Sequence, residues 1–148
     1  MMQAEPAATL EELGWTQLIE IGYPGLIGPF WERPHEEGIQ YGIQTTETHL
    51  NRNGVVHGGL VLALADQALG YTAINLIGGP RMATIQLDVQ FLSPVMAGDF
   101  VIATGCVTRD TRSVTFVRGE VRVGSTLVAT ATGVWKKLRI SAAPHVSA

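Results

Sequence analysis

The sequence predicts an α+β domain in which an antiparallel β-sheet wraps around a long central α-helix. Three observations carry that expectation. The stretch from Gly58 to Leu76 is apolar with few interruptions and stops at Gly78-Gly79-Pro80, as a long helix would. The run Thr84–Phe91 alternates strictly, with Ile85, Leu87, Val89 and Phe91 on one face, which is the period of a strand. The remainder reads as strands joined by short turns, which favours antiparallel pairing. A helix apolar on nearly all sides must be covered on nearly all sides. A curved sheet can wrap most of it, and a second subunit the rest.

Taken in order, residues 1–8 read as a frayed start. Thr9 is a candidate helix cap with Glu12 as its reciprocal partner. Leu10, Leu13, Trp15, Leu18 and Ile19 give an apolar stripe, so a helix is expected to about Ile21, ended by Gly22-Tyr23-Pro24-Gly25. Strands are expected near Phe30–Arg33 and Ile39–Thr46, then a polar connection over 48–57 leading into the long helix. Ser93-Pro94 ends the alternating strand, and Phe100–Thr108 is the next. A polar turn at Arg109–Arg112 leads to Val114–Val123, a tight hairpin at Gly124-Ser125 and a last strand at Leu127–Lys137. Residues 141–148 read as a mobile tail. The 148 residues suit one domain with a sizeable core.

Composition narrows the function classes. Hydrophobic residues make up 46% and charged ones 16%, a profile that excludes a disordered chain. A net charge of −3 argues against a general nucleic-acid binder. The charge is uneven: residues 1–47 hold eight acids and one base, Arg33, whereas residues 100–139 hold seven bases and two acids. The basic half can receive an anionic ligand such as a phosphorylated cofactor tail, or can simply present solvent-facing strand residues. The single cysteine, Cys106, allows no intrachain disulfide and no ordinary zinc cluster. No signal-peptide layout opens the chain. The Gly58–Ile77 stretch carries Asp66 and Gln67 at its centre, which argues for a buried core helix over a membrane span. A cytoplasmic location is expected. No phosphate-binding GxxxxGK[ST] loop, HExxH or GxSxG motif occurs.

Asp66 is the residue that demands an explanation. Burying an unpaired carboxylate costs several kcal/mol, about 3–5 where a partner has been removed, so a carboxylate inside an apolar helix points to chemistry or to a partner arginine. The other carboxylate of this region, Asp88, shares a polar strand face with Gln86 and Gln90 and suits a solvated role. Gly58, at the helix start, has an N–H with no intrahelical partner, aligned with the positive end of the helix dipole. Alternatively, Gly58-Gly59 permits close packing. Asn51 can cap a turn locally, and His57 can be a structural hydrogen-bonding histidine. Gly58 and Asp66 are eight residues apart, roughly 12 Å along a helix. If Asp66 is a base and Gly58 N–H holds a carbonyl, the roles that the family resemblance of this segment implies, the base must reach the reacting water to about 3 Å, so one chain cannot readily supply both. Two antiparallel helices across a twofold axis can.

The segment Asn51-Arg52-Asn53-Gly54-Val55-Val56-His57-Gly58-Gly59, with Asp66 nine residues after His57, resembles the hotdog-fold acyl-CoA thioesterases, in particular the branch of the phenylacetate pathway. Phe91-Leu92-Ser93-Pro94 resembles the same family, and the likeness covers roughly residues 45–138. The resemblance implies a sheet wrapped around a helix, dimers that often pair into tetramers, and hydrolysis of an acyl-CoA by water without a metal or other cofactor. It implies Asp66 as general base or nucleophile. Gly58 N–H and the Asn51 amide would hold the thioester oxygen, Thr84 would position water, and His57 would assist on the thiol side. Arg109, Arg112 and Arg118 are candidates to meet the CoA phosphates. Leu60, Leu64, Tyr71 and the Gly22–Pro29 loop are candidates to line an acyl pocket. Two rivals share the fold: a module that binds acyl-CoA without turning it over, and an acyl-thioester hydratase.

Overall fold

The computed structural model describes residues 7–79 and 81–139. The expectations for residues 1–6 and 141–148 lie outside that range. One seven-stranded sheet, antiparallel throughout, runs in the order β1-β2-β3-β5-β6-β7-β4. The strands are β1 (Thr16–Gln17), β2 (Phe30–His35), β3 (Gly38–Gln44), β4 (Met82–Phe91), β5 (Phe100–Asp110), β6 (Val114–Val123) and β7 (Thr126–Lys137). The sheet holds one long helix, α2 (Gly58–Ile77), and a short one, α1 (Tyr23–Ile27), precedes β2.

The helix forms where the greasy run predicts it. Leu60, Leu64, Ala65, Ala68, Leu69 and Ala73 are buried against Val101, Val117 and Val121 of the central strands and Tyr41 and Ile43 of β3. A fully buried Leu or Val contributes about 1.5–3 kcal/mol, so this face anchors the domain. By length and composition α2 could cross a membrane; here one of its faces is the inner layer of the core. The other is only partly covered, leaving Leu62 and Leu76 exposed.

Two expectations fail for physical reasons. The helix expected from Thr9 to Ile21 does not form. Its reciprocal cap does form, with Thr9 N–H donating to Glu12 and Glu12 N–H to Thr9 Oγ1, but the chain makes a single turn. Gly14 then adopts a left-handed φ of 84°, which glycine enters at no steric cost. Trp15 is thereby buried on the sheet, edge-on to Phe100 and under the Arg33 guanidinium. Burial of one large aromatic outweighs the few tenths of a kcal/mol per residue that separate helix propensities. The short helix falls instead at Tyr23–Ile27, where a terminator was expected.

The second failure is the strict alternation of β4. Thr84 and Gln86 pair with the consecutive residues Trp135 and Val134, so Ile85 is an extra, bulged residue. Ile85 is exposed at 57% rather than packed with Leu87. Unbroken alternation would set Thr84 on the face of Gln86 and Asp88. The bulge turns it to the helix side, alongside its pairing partner, the buried Trp135.

Candidate active site

Two groups of residues meet the helix at separate points along its length. The first is centred on Asp66, half-buried on α2. Thr84 Oγ1 donates a 2.7 Å hydrogen bond to Asp66 Oδ1. The packing that brings them together is visible one turn further on. Gly70 lies so close to the Trp135 indole that a Cβ there would sit 3.2 Å from its nitrogen, and Trp135 pairs with Thr84 in the sheet. The hydroxyl fixes the orientation of the carboxylate. No described residue donates to the other Asp66 oxygen, which leaves it available to a water or substrate. Asp88, by contrast, accepts from Gln86 at 2.7 Å on the exposed face and takes no part.

The second group sits at the helix start. Residues 49–57 form a small hairpin: His57 N–H donates to His49 O at 2.8 Å, Asn51 N–H to Val55 O at 2.8 Å, and Leu50 bridges Val56. His57 is the helix cap, its Nδ1 accepting from Gly59 N–H at 2.8 Å. Gly59 is required by that cap, because a Cβ would lie 2.8 Å from the same nitrogen. Leu60 N–H donates to His57 O. The Gly58 N–H alone, of these first three, has no acceptor among the described residues, although it sits at the positive end of the helix dipole.

Asn51 combines both readings. Its Oδ1 accepts from Asn53 N–H at 2.8 Å, which caps the turn and orients the amide. The NH₂ donates to no described residue and can serve an oxygen outside the chain. Next to Gly58 is an apolar groove of about 340 Å³, lined among others by Val55, Val61, Phe91, Pro94 and Val128. The Phe91 ring forms its wall, 3.2 Å from where a Gly58 Cβ would stand.

The structure therefore brings Asp66 to Thr84, and sets Asn51, His57 and Gly58 on one loop-to-helix junction. The two groups are eight residues apart on one helix. The three arginines are not gathered. Only Arg112 lines a basic cleft of about 820 Å³, with Ser113, Lys136, Lys137, Leu138 and Arg139. Arg109 borders a separate cleft of about 600 Å³ beside the C-terminal half of α2, and Arg118 is mid-strand, exposed, opposite Cys106 and Thr132. Lys137 is paired with Asp110 at 2.8 Å, whereas no described carboxylate lies within 4 Å of Arg112, Lys136 or Arg139. Sequence reasoning missed Lys136 and Arg139, although the Lys-Lys-Leu-Arg run at 136–139 was a visible signal.

The proposed acyl-pocket residues are likewise redistributed. Leu60 and Leu64 are sealed in the core. Tyr71 donates to Glu20, and Gln67 donates to both at 3.0 and 3.1 Å, which ties the segment before α1 to the helix. Burial, then the neighbouring Glu20 carboxylate, pushes the Tyr71 phenol well above its ordinary range. Tyr41 beside it, 5.4 Å away ring to ring, is pushed up to about 12, chiefly by burial.

The chain is similar to several known proteins. A Pseudomonas aeruginosa protein provisionally named an esterase is 31% identical over 74% of this chain and 84% of its own length. Among solved structures, a mutant of the phenylacetic acid degradation protein PaaI from Thermus thermophilus superposes with a TM-score of 0.68 at 25% identity, covering 78% of this chain and 98% of that one. A Streptococcus mutans protein bound to acetyl CoA does so with a TM-score of 0.66 at 26% identity, covering 72% and 86%. The fold is the hotdog fold. The family model of the thioesterase superfamily matches residues 53–130, from the Asn51 hairpin into the last strand, and the chain belongs to that superfamily.

Proposed function

We propose that the protein is a homo-oligomeric acyl-CoA thioesterase whose site is shared between two subunits. The observation that carries this reading is the separation of two complementary half-sites on one helix. A free backbone N–H and a free amide stand at its start, and a hydroxyl-held carboxylate stands eight residues on.

In this reading the thioester oxygen binds Gly58 N–H and Asn51 Nδ2 of one subunit. Such donors act on charge that develops in the transition state and are typically worth about 3–4 kcal/mol each. Asp66 of the other subunit takes a proton from water, whose oxygen attacks the carbonyl carbon. The C–S bond then breaks, and the thiolate of CoA is protonated as the free acid leaves. Direct attack by the carboxylate, followed by hydrolysis of the anhydride, gives the same products. Thr84 holds and aims the Asp66 carboxylate.

A CoA substrate is supported by the basic cleft and by the relative that binds acetyl CoA. Lys136 and Lys137 pair with Ala83 and Met82, so the cleft opens within two residues of Thr84. We assign the phosphates to Arg112, Lys136 and Arg139 in place of Arg109 and Arg118.

The test is release of free thiol from a panel of aryl- and fatty-acyl-CoAs. Asp66→Asn is expected to lower kcat by about 10²–10⁴-fold, the ordinary contribution of a general base. A mutant with wild-type turnover would sink the mechanism. Mixing Asp66→Asn subunits with Asn51→Ala subunits is expected to restore one working site per mixed dimer, whereas a site contained in one subunit would show no recovery.

A further inference from the structure

The half-buried His49 makes more ordered connections than any role assigned to it so far requires. It ends the short 3₁₀ turn Glu47–His49 that leads into the hairpin. Its Nδ1 accepts from Thr46 N–H at 3.0 Å, so the ring proton sits on Nε2. That Nε2–H donates to the carbonyl of Ile27, the last residue of α1, at 2.9 Å. Its own carbonyl accepts from His57 N–H at 2.8 Å. The side chain thus joins the turn before the hairpin to the helix 23–27, twenty-two residues upstream, while the residue's backbone carbonyl closes the hairpin that carries Asn51 and leads to Gly58.

The far end of that upstream segment is also held. Glu20 accepts from Gln67 and Tyr71 on α2, adjacent to and one turn beyond Asp66. The segment 20–27 is therefore tied at one end to the helix next to the carboxylate and at the other, through His49, to the hairpin. The hairpin is also held by backbone ties: His49 N–H to Thr46 O at 3.1 Å and Leu50 N–H to Glu47 O at 3.2 Å in the preceding turn, and Val56 N–H to Val95 O at 2.8 Å. Without the His49 ring it would keep these ties but lose its side-chain tie to the segment 20–27.

We propose that His49 is a positioning residue for the carbonyl-binding half-site, setting where Gly58 N–H and the Asn51 amide point. The role rests on the reading that those two groups receive the thioester oxygen. Oxyanion donors work only within a narrow geometry, and a misplacement of about 1 Å can cost about 100-fold in rate. The effect should therefore fall on kcat more than on KM.

Three variants separate the two ring nitrogens. Glutamine can place an amide N–H near Nε2 and keep the Ile27 tie. Asparagine can place an acceptor near Nδ1 and keep only the local turn. Phenylalanine keeps neither. In hydrogen–deuterium exchange, His49→Phe is expected to speed exchange in residues 49–59 and 23–27 while leaving α2 beyond Leu64 protected. In thiol release from the best acyl-CoA it is expected to lower kcat by about 10–100-fold, with KM within about threefold. His49→Gln is expected to recover most of both effects, and His49→Asn little. Wild-type exchange and kcat in His49→Phe would overturn the proposal. So would a glutamine variant as impaired as the phenylalanine one, or KM rising as steeply as kcat falls. A wild-type chain that releases no thiol from any acyl-CoA would overturn the underlying reading and the catalytic role with it, while the exchange data would still show whether His49 holds the hairpin.

Discussion

The two edges of the sheet are built from the same backbone and finished in opposite ways. At one edge, β1 is only two residues long, and the turn before it packs its tryptophan onto the sheet. Trp15 is 3% exposed, and the Arg33 guanidinium lies 4.5 Å over its ring while bonding Gln40 and the Leu13 carbonyl. The other edge is β4, ten residues long, with no neighbouring strand beyond it among the described residues. It leaves Ile85 and Phe91 more than half exposed. Folded proteins normally blunt a long edge with charge, proline or a cover. One edge here is blunted by its shortness. The other is long and presents apolar side chains, and Thr84 and the wall of the Gly58 groove both lie on it. On the proposed reading, a second copy paired along β4 would bring its own helix start towards Asp66.

The comparison can be broken most severely at β4. In a twofold antiparallel pair centred on the strand Met82–Phe91, positions 85 and 88 face each other's counterparts. Ile85→Lys with Asp88→Lys, both at exposed positions, should therefore repel across the axis. The expected result is monomer in sedimentation and loss of nearly all thiol release, with the circular dichroism spectrum kept. A fully active monomer would show that the open edge is not the catalytic seam. At the closed edge, Trp15→Ala should cost about 3–5 kcal/mol in urea unfolding but leave turnover per folded molecule and oligomeric state unchanged. A drop in kcat there would mean that the two edges are not independent.

Thr84→Ala sharpens the comparison within β4 itself. Losing a hydrogen bond to a charged group costs about 1.5–3 kcal/mol, so kcat should fall roughly 10–100-fold with the dimer intact. Unchanged kcat would remove Thr84 from the machinery. The smallest effect belongs away from both edges. Lys137, and after it Thr115, holds the exposed Asp110 carboxyl below its ordinary value. Its contribution is present above the unfolded-state pKa of about 3.9 and is lost as pH falls through the lower folded value. Asp110→Asn should slightly flatten the acid limb of the urea midpoint against pH. Identical limbs in mutant and wild type would show that this pair adds nothing.

Much of this was legible in the residues alone. The apolar run 58–77, with Asp66 and Gln67 at its centre, pointed to a core helix, and the hairpin chemistry at Gly124-Ser125 pointed to antiparallel neighbours. The spacing of Gly58 and Asp66 on one helix keeps them apart by a rise of about 1.5 Å per residue, which on the proposed reading makes them parts of two half-sites. These are properties of neighbouring residues, and local periodicity reports them faithfully. What the chain does across space was not legible. Gly14 and Trp15 break a well-capped helix because a distant Phe100 and Arg33 offer a burial site. Arg112 finds Lys136 and Arg139 rather than Arg109 because strand pairing, not sequence order, decides which bases share a cleft. The decisive case is Thr84. Sequence alternation assigns it to the polar face, and one bulged residue, visible only in the pairing of β4 with β7, turns it toward Asp66. Side-chain period is a property of a strand taken singly, but register belongs to two strands together, and a shift of one residue exchanges the faces.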